Sequence, residues 1–384
     1  MDQEDLYEVV IGLEVHAQLM TNTKLFCGDT IIFGQGPNTQ VSAISLAHPG
    51  TLPRLNREAI RLAIRLGLAT HSEIVQQNYF ARKNYFYPDL PKGYQISQHT
   101  TPICKGGTLE ISAGKEKRHV KLNRIHIEED AGKSVHEGEE TFTQLDFNRA
   151  GTPLLEIVTE PDMHSAEEAA AYVTTLRKLV RHLGVCDGNM EEGSLRCDVN
   201  ISVRPQGDQK LGTRVEIKNL NSIRYIKKAI EAESANLIQK LKRGETILQQ
   251  TKGFNVDTAS TYVIRTKEDE DDYRYFPEPD LPPFVISNEE IEAIRQTMPP
   301  LQDQLKQNLQ EEYGLSAYDA GLLAEDTELL GYFLALTKET AQYKAAANWT
   351  IGPVKNYLAE NDAGLDDFPI PPAAIARLIY LIEK

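Results

Sequence analysis

The segment Val9-Val10-Ile11-Gly12-Leu13-Glu14-Val15-His16-Ala17-Gln18-Leu19 alternates along its length. Its odd positions are Val9, Ile11, Leu13, Val15, Ala17 and Leu19; its even positions include Glu14, His16 and Gln18. Successive side chains of a β-strand point to opposite faces, so the apolar set belongs in a core and the polar set on the other face. Further segments repeat the pattern. In 195–203, Arg196, Asp198, Asn200 and Ser202 share a face. Arg214, Glu216 and Lys218 share one, with Val215 and Ile217 behind them. In 122–130, Ile125 and Ile127 point one way while Arg124, His126 and Glu128 point the other.

An antiparallel sheet with a wet face is common, and a solvated surface accounts for such alternation. A merely wet face, however, is usually a mixture rich in Thr, Lys, Glu and Ser. These faces hold carboxylates, His, Arg, Asn and Gln, the types that hold Mg2+ and a triphosphate. Glu14-x-His16 sets an oxygen and a nitrogen donor about 7 Å apart along one strand face, a pair suited to a divalent ion. Spacing alone leaves both readings open. The chain has no P-loop and no G-x-G-x-x-G, so a nucleotide site here is of neither type. A curved open sheet with these residues suits ATP-dependent activation of a carboxylate, with cations offsetting the developing charge and ammonia attacking the acyl phosphate.

Outward from the strands, helices are well signalled. Ser165-Ala166-Glu167-Glu168 reads as a capping box opening a helix that closes at Gly184. Another starts at Ser222 and ends at Gly244, with Ile223, Ile226 and Ile230 on one face. The Pro-rich run 276–283 cannot join interior ladders or helices. From about Asn288 the pattern is helical, broken at Pro299-Pro300 and near Gly314. The expected fold is α+β: a mainly antiparallel sheet domain over 1–290 followed by a small all-helical domain over 291–384.

The 384 residues carry a net charge of -15, the wrong sign for gripping nucleic acid over the whole surface. RNA contact would come from local patches, such as Arg54, Arg57, Arg61 and Arg65, or the run Lys115, Lys117, Arg118, His119, Lys121 and Arg124. Solvated charge runs are the ordinary alternative. No apolar run approaches the roughly 20 residues of a membrane span. The start Met1-Asp2-Gln3-Glu4-Asp5 has no secretory or transit character, and Cys27, Cys104, Cys186 and Cys197 form no C-x-x-C pair. Both point to a cytoplasmic protein with reduced thiols.

Several segments, in order, resemble the B-subunit family of the glutamyl/aspartyl-tRNA amidotransferases. They are 10–16 (Val-Ile-Gly-Leu-Glu-Val-His), 82–89 (Arg-Lys-Asn-Tyr-Phe-Tyr-Pro-Asp), 145–157, 190–198 (Met-Glu-Glu-Gly-Ser-Leu-Arg-Cys-Asp) and 272–280 (Asp-Tyr-Arg-Tyr-Phe-Pro-Glu-Pro-Asp). The resemblance implies a cradle-like catalytic domain, distantly similar to glutamine synthetase. It implies phosphorylation, by ATP and Mg2+, of the side-chain carboxylate of Glu on tRNA(Gln) or Asp on tRNA(Asn). A partner amidase A subunit would release ammonia from glutamine, and a small C subunit would brace the heterotrimer. The family's metal site falls on Glu14, His16 and the Glu128-Glu129 pair, with Glu216 a further ligand by position. Resemblance favours Glu129, whereas alternation sets Glu128 beside His126. Asp146, Asn148, Arg149, Arg196 and Asp198 are nucleotide-site candidates. Lys83, Tyr85 and Lys92 fall at the ammonia channel.

The chain departs from the family in two ways. Some members carry a C-x-C…C-x-x-C zinc knob, where this sequence reads Cys27-Gly28-Asp29 and Ser42-Ala43-Ile44-Ser45, so no structural zinc is expected. Members also continue into a helical tail that helps bind tRNA, and weaker tRNA binding is expected without it. A tRNA-independent carboxylate–amine ligase and a non-catalytic RNA-binding scaffold are the competing classes.

Overall fold

The computed structural model describes residues 6–114, 116–135, 142–266, 273–361, 364–365 and 368–382. Lys115 and Asp272 lie outside them. The chain divides into two compact units, Met1–Met298 and Pro299–Lys384.

In chain order the strands are β1 (Tyr7–Gln18), β2 (Glu73–Ile74), β3 (Gln77–Asn78), β4 (Ala81–Asn84), β5 (Tyr94–Ser97), β6 (Cys104–Lys105), β7 (Thr108–Ala113), β8 (Glu116–Glu129), β9 (Lys133–Val135), β10 (Gln144–Asp146), β11 (Pro153–Thr159), β12 (Leu195–Pro205), β13 (Val215–Leu220), β14 (Gln250–Asn255), β15 (Ser260–Thr266), β16 (Arg274–Pro277) and β17 (Phe284–Val285). The first unit's helices are α1 (Arg57–Ala69), α2 (Ala166–His182), α3 (Ile223–Lys242) and α4 (Asn288–Gln296).

The main sheet runs β15-β14-β13-β12-β1-β11-β8-β6-β2, with β7 also paired to β8. Its neighbours are antiparallel except β13 and β14, which α3 connects as a parallel pair. The apolar faces of β1, β11, β12 and β13 are sealed: Ile11, Val15, Leu155, Ile157, Val199 and Ile217 are fully buried. Tyr172, Val173 and Leu176 of α2 and Ile226 and Ile230 of α3 are buried too, as the helical spacing predicts. Pro161 packs over Gly12 of β1, at a distance where an added Cβ would make ordinary contact, 3.6 Å from Pro161 Cα.

The helix signals read from sequence take physical form. The Ser165 hydroxyl accepts from the Glu168 N–H at 3.1 Å, and the Glu168 carboxylate accepts from the His164 N–H at 2.7 Å. Ser222 caps α3 in the same way through the Tyr225 N–H. Gly184 and Gly244 close the two helices at φ +63 and +71, where a left-handed residue ends a helix without Cβ strain. Part of the Pro-rich run forms β16, paired with β4, which is paired in turn with β5. Pro277 sits at the end of β16, on the edge of that three-stranded sheet, where a missing N–H is tolerated. Helix α4 belongs to the first unit, and its Ile294 is buried.

The second unit holds α5 (Gln302–Tyr313), α6 (Ala317–Ala324), α7 (Thr327–Thr337), α8 (Tyr343–Trp349), α9 (Lys355–Asn361) and α10 (Pro372–Ile382). Its own core includes Leu309, Leu323, Phe333, Leu336, Ala346 and Ile379. Gly314 ends α5 in the left-handed region at φ +63.

Candidate functional site

Strand register decides which polar residues meet. Across β12, β1, β11 and β8, Arg196 opposes His16, His16 opposes Glu156, and Glu156 opposes His126. One alternation along, Glu14 opposes Asp198. Opposed residues share a face, and their side chains interact. His16 Nε2 stands 3.5 Å from Glu128 and 3.7 Å from Glu156, while His126 Nε2 stands 3.6 Å and 3.1 Å from the same two carboxylates. Donor atoms of His16, Glu128 and Glu156 lie within 4.8 Å of one another, the one such group among the described residues.

The electrostatics of this cluster are strained. Burial, with the charges of Glu156 and Glu216 beside it, pushes the Glu14 carboxyl above its ordinary range, although Asn200 donates to it at 2.9 Å. Burial opposes charging of His126, but Glu156 and Glu128 override it and raise the imidazole to about 9. Burial opposes ionisation of Glu156 too, yet its two histidine neighbours hold it well below the usual carboxylate range. His126 Nδ1 is buried with no hydrogen-bond partner. The cluster floors a cavity of about 760 Å³ whose walls include the cations Lys83, Arg124, Arg196, Arg214, Lys218 and Arg265.

The structure gathers some of the sequence candidates here and sends others elsewhere. Glu14, His16, Glu128, Arg196, Asp198, Glu216, Lys83 and Tyr85 all line this cavity. Lys218 bridges Glu216 at 2.8 Å and Asp198 at 3.1 Å, so those carboxylates are partly compensated. Glu129 does not join Glu14 and His16. Strand β8 continues its alternation to its end, so Glu128 faces the cluster and Glu129 faces the opposite side. There the Glu129 carboxylate is engaged by Lys92 Nζ at 2.6 Å and the Ile96 N–H at 2.8 Å. Asp146 and Asn148 are also away from the cavity. Asp146 accepts from the Asn38 N–H at 3.0 Å, and Asn148 accepts from the Gln40 N–H at 2.8 Å, so both brace the 36–40 loop. Arg149 clamps the turn after β8 through the carbonyls of Ala131 and Gly132 and stands 3.5 Å from Asp130, which Arg196 contacts at 2.8 Å.

A second cavity, of about 210 Å³, lies on the Glu129 side of the sheet and is lined in part by Lys24, Cys27, Ser45, Lys92, Glu129 and Asp130. Asp130 borders both cavities. Beside it, residues 27, 29, 42 and 45 are tied together by hydrogen bonds. Cys27 Sγ lies 3.4 Å from Ser45 Oγ, Asp29 accepts from the Ser42 N–H at 2.8 Å, and the Ser45 hydroxyl donates to Asp29. Lys24, fully buried, donates to Ser45 Oγ and to the Phe147 carbonyl, each at 3.2 Å. The arginine stripe of α1 is partly spent on local contacts: Arg61 pairs with Glu58, and Arg65 donates to the Leu183 carbonyl at 3.3 Å.

Residues 9–292 match the family described as the GatB/GatE catalytic domain, and residues 331–384 match the GatB domain. The chain belongs to the B-subunit family of the tRNA amidotransferases. It is 51% identical to the aspartyl/glutamyl-tRNA(Asn/Gln) amidotransferase B subunit of Methylobacillus flagellatus, over 98% of this chain and 79% of that protein. It is 50% identical to the corresponding B subunits of Nitrosospira multiformis and Geotalea uraniireducens, over 98% of this chain and 77% and 80% of theirs. Among the described residues no helix is long and apolar enough to cross a membrane.

Sequence reasoning misses Glu156 altogether, and it places His126 on the polar face of its strand without choosing it as a site residue. Glu156 is visible only inside a matching segment, and its strand-face neighbours Leu154 and Val158 are apolar, so alternation does not mark it. His126 shares a face with Glu128, but nothing in its own strand singles it out. The signal that finds both is the pairing of β11 between β1 and β8, which no single strand carries.

Proposed function

We propose that the polar sheet face is the carboxylate-activating centre of a glutamine-dependent tRNA amidotransferase. It uses ATP to phosphorylate the side chain of Glu on tRNA(Gln), of Asp on tRNA(Asn), or of both. Ammonia released from glutamine by an amidase A subunit then displaces phosphate to give the amide, and a small C subunit completes the assembly. The carrying observation is the excess of buried carboxylates around His16, with Glu14 pushed towards neutrality, inside a cavity walled by cations.

The donor set fits Mg2+. Carboxylate oxygens are its preferred protein ligands, a few of them leave room for water and phosphate oxygens, and a divalent charge would offset the repulsion on Glu14. His16, Glu128 and Glu156 would hold it, with Glu14 alongside. When bound there, the ion would supply positive charge to offset that of the phosphates. The chain's own groups do the rest. Arg196, Lys218 and Arg265 are placed to neutralise charge on the transferring phosphoryl group. Lys218 also fixes Asp198 and Glu216, and Asn200 orients Glu14.

For ammonia we propose a path from the cavity of Lys92 and Glu129 to that of Lys83 and Tyr85, past Asp130. The support is that the two cavities share this residue as a wall. Burial and the neighbouring carboxylates raise the Tyr85 hydroxyl far above its ordinary range, so it stays a neutral donor. Net charge of -15 gives no long-range attraction to RNA, so tRNA affinity rests on local contacts.

Glu14→Ala tests the centre. In the assembled complex it should abolish amide formation from misacylated tRNA, whether glutamine or free ammonia is the donor, while glutamine hydrolysis continues. Amide formation at the wild-type rate would end the assignment.

A further inference from the structure

Aromatic rings that a core would normally absorb line one part of the larger cavity. Tyr85 stands 5.8 Å from Tyr87 and 5.7 Å from Tyr273, Tyr273 stands 6.4 Å from Tyr275, and Tyr275 stacks on His99 at 4.0 Å with the planes 11° apart. Tyr85, His99, Tyr273 and Tyr275 all line the cavity of the carboxylate cluster. They are not buried: Tyr275 is 36% exposed, His99 is exposed, and Tyr85 and Tyr273 are partly so. Cations are interleaved with them. Lys83 Nζ lies 4.7 Å from the centre of the Tyr273 ring and 5.8 Å from that of Tyr85. Arg265 hydrogen-bonds the Tyr273 hydroxyl.

Local structure explains the arrangement. Tyr275 opposes Lys83 across β16 and β4, so ring and ammonium come from paired strands at a sheet edge and not from a shared core. Large rings left half-open beside a polar cavity forgo burial, which marks a surface that meets something. Alternating rings and cations form the surface that takes single-stranded nucleic acid: bases stack on rings, and cations follow the phosphates.

We propose that this wall, with the His99–Tyr275 stack at its centre, is a base-stacking ledge for the single-stranded 3′ end of the aminoacyl-tRNA, its terminal adenine lying on the stacked pair. The proposal rests on the function proposed above. A run of rings is more than the single base of ATP needs, and it suits successive bases of an extended strand. The ledge also opens directly into the carboxylate cavity, so a stacked terminal base would carry its aminoacyl group to Glu14 and His16.

The test is a binding cycle that needs no chemistry, with the assembled complex and deacylated tRNA, intact or lacking its terminal adenosine. For the wild type, removing that adenosine should weaken binding about tenfold. For Tyr275→Ala the intact tRNA should bind about tenfold more weakly, and removing the adenosine should then change little. Tyr275→Phe should behave as wild type, and His99→Ala should repeat the Tyr275→Ala pattern as a second variant. In steady state, Tyr275→Ala should raise KM for aminoacyl-tRNA with kcat within about twofold, the signature of lost uniform binding. Two results would overturn the ledge. One is two losses that simply multiply; the other is a rise in KM for ATP with tRNA binding unchanged. Neither depends on the Glu14→Ala result, so a failed ledge and a failed catalytic assignment are told apart.

Discussion

Two clusters of buried charge occupy the same sheet and teach opposite lessons. Between α3 and β14, Glu233 is fully buried and Lys252 nearly so, and they meet at 2.7 Å. Asn236 and the Thr261 hydroxyl donate further hydrogen bonds to the same carboxylate. Charge and hydrogen bonding are satisfied there, and the pair reads as structural. Around His16 the burial is similar, but Glu14, Glu128 and Glu156 crowd together, and Glu14 is driven upward by its neighbours. Buried charge therefore does not mark a site by itself; uncompensated buried charge does.

The largest expected effect is on the compensated side. Glu233→Ala strands a buried ammonium and should cost about 3–5 kcal/mol of stability, read as a lower denaturant midpoint of the full chain. Replacing both partners, Glu233→Leu with Lys252→Met, should restore most of that loss. A single variant no worse than a surface substitution would break the comparison.

Lys92→Ala probes an ion pair between these extremes, because Glu129 keeps the Ile96 N–H as a partner. Amide formation supported by glutamine should fall about tenfold, about 1.4 kcal/mol, while formation supported by free ammonia falls less. Equal losses with the two donors would assign the residue to the fold or the catalytic centre and not to transport.

Glu14→Gln should give the smallest shift, with the opposite sign. A carboxyl whose folded pKa is raised contributes stability below its unfolded pKa and loses it as pH rises through the folded one. At neutral pH without divalent metal, removing the charge should leave the midpoint unchanged or raise stability by up to about 1 kcal/mol. A clear loss would mean that Glu14 is as well compensated as Glu233.

Much of this was legible in the chain. Alternation in β1, β8 and β12 identified faces that do carry Glu14, His16, Glu128, Arg196 and Asp198, because a period of two is local geometry. Capping residues Ser165 and Ser222 and the glycines 184 and 244 located α2 and α3 because caps satisfy backbone groups within a few residues. The choice between Glu128 and Glu129 was not local. Alternation favoured the first and resemblance the second, and the register of β8 against β11 resolved which one faces His16. Asp146 and Asn148 illustrate the opposite limit. Their side chains are the right types for a nucleotide site, yet they bind backbone N–H groups of the 36–40 loop, over a hundred residues away in sequence.

The sequence by itself determined the strands β1, β8, β12 and β13, their polar faces, the ends of α2 and α3 and, through its long matches, the family. Those features depend on neighbours within one turn or one pleat, where covalent geometry dictates direction. Only the tertiary structure decided that β11 lies between β1 and β8, and so brought Glu156 and His126 to His16. Only the tertiary structure set the rings of β16 beside Lys83 of β4. Strand order and register join residues whose separation along the chain carries no information about their distance in space. They are fixed by the collective burial of every apolar face at once.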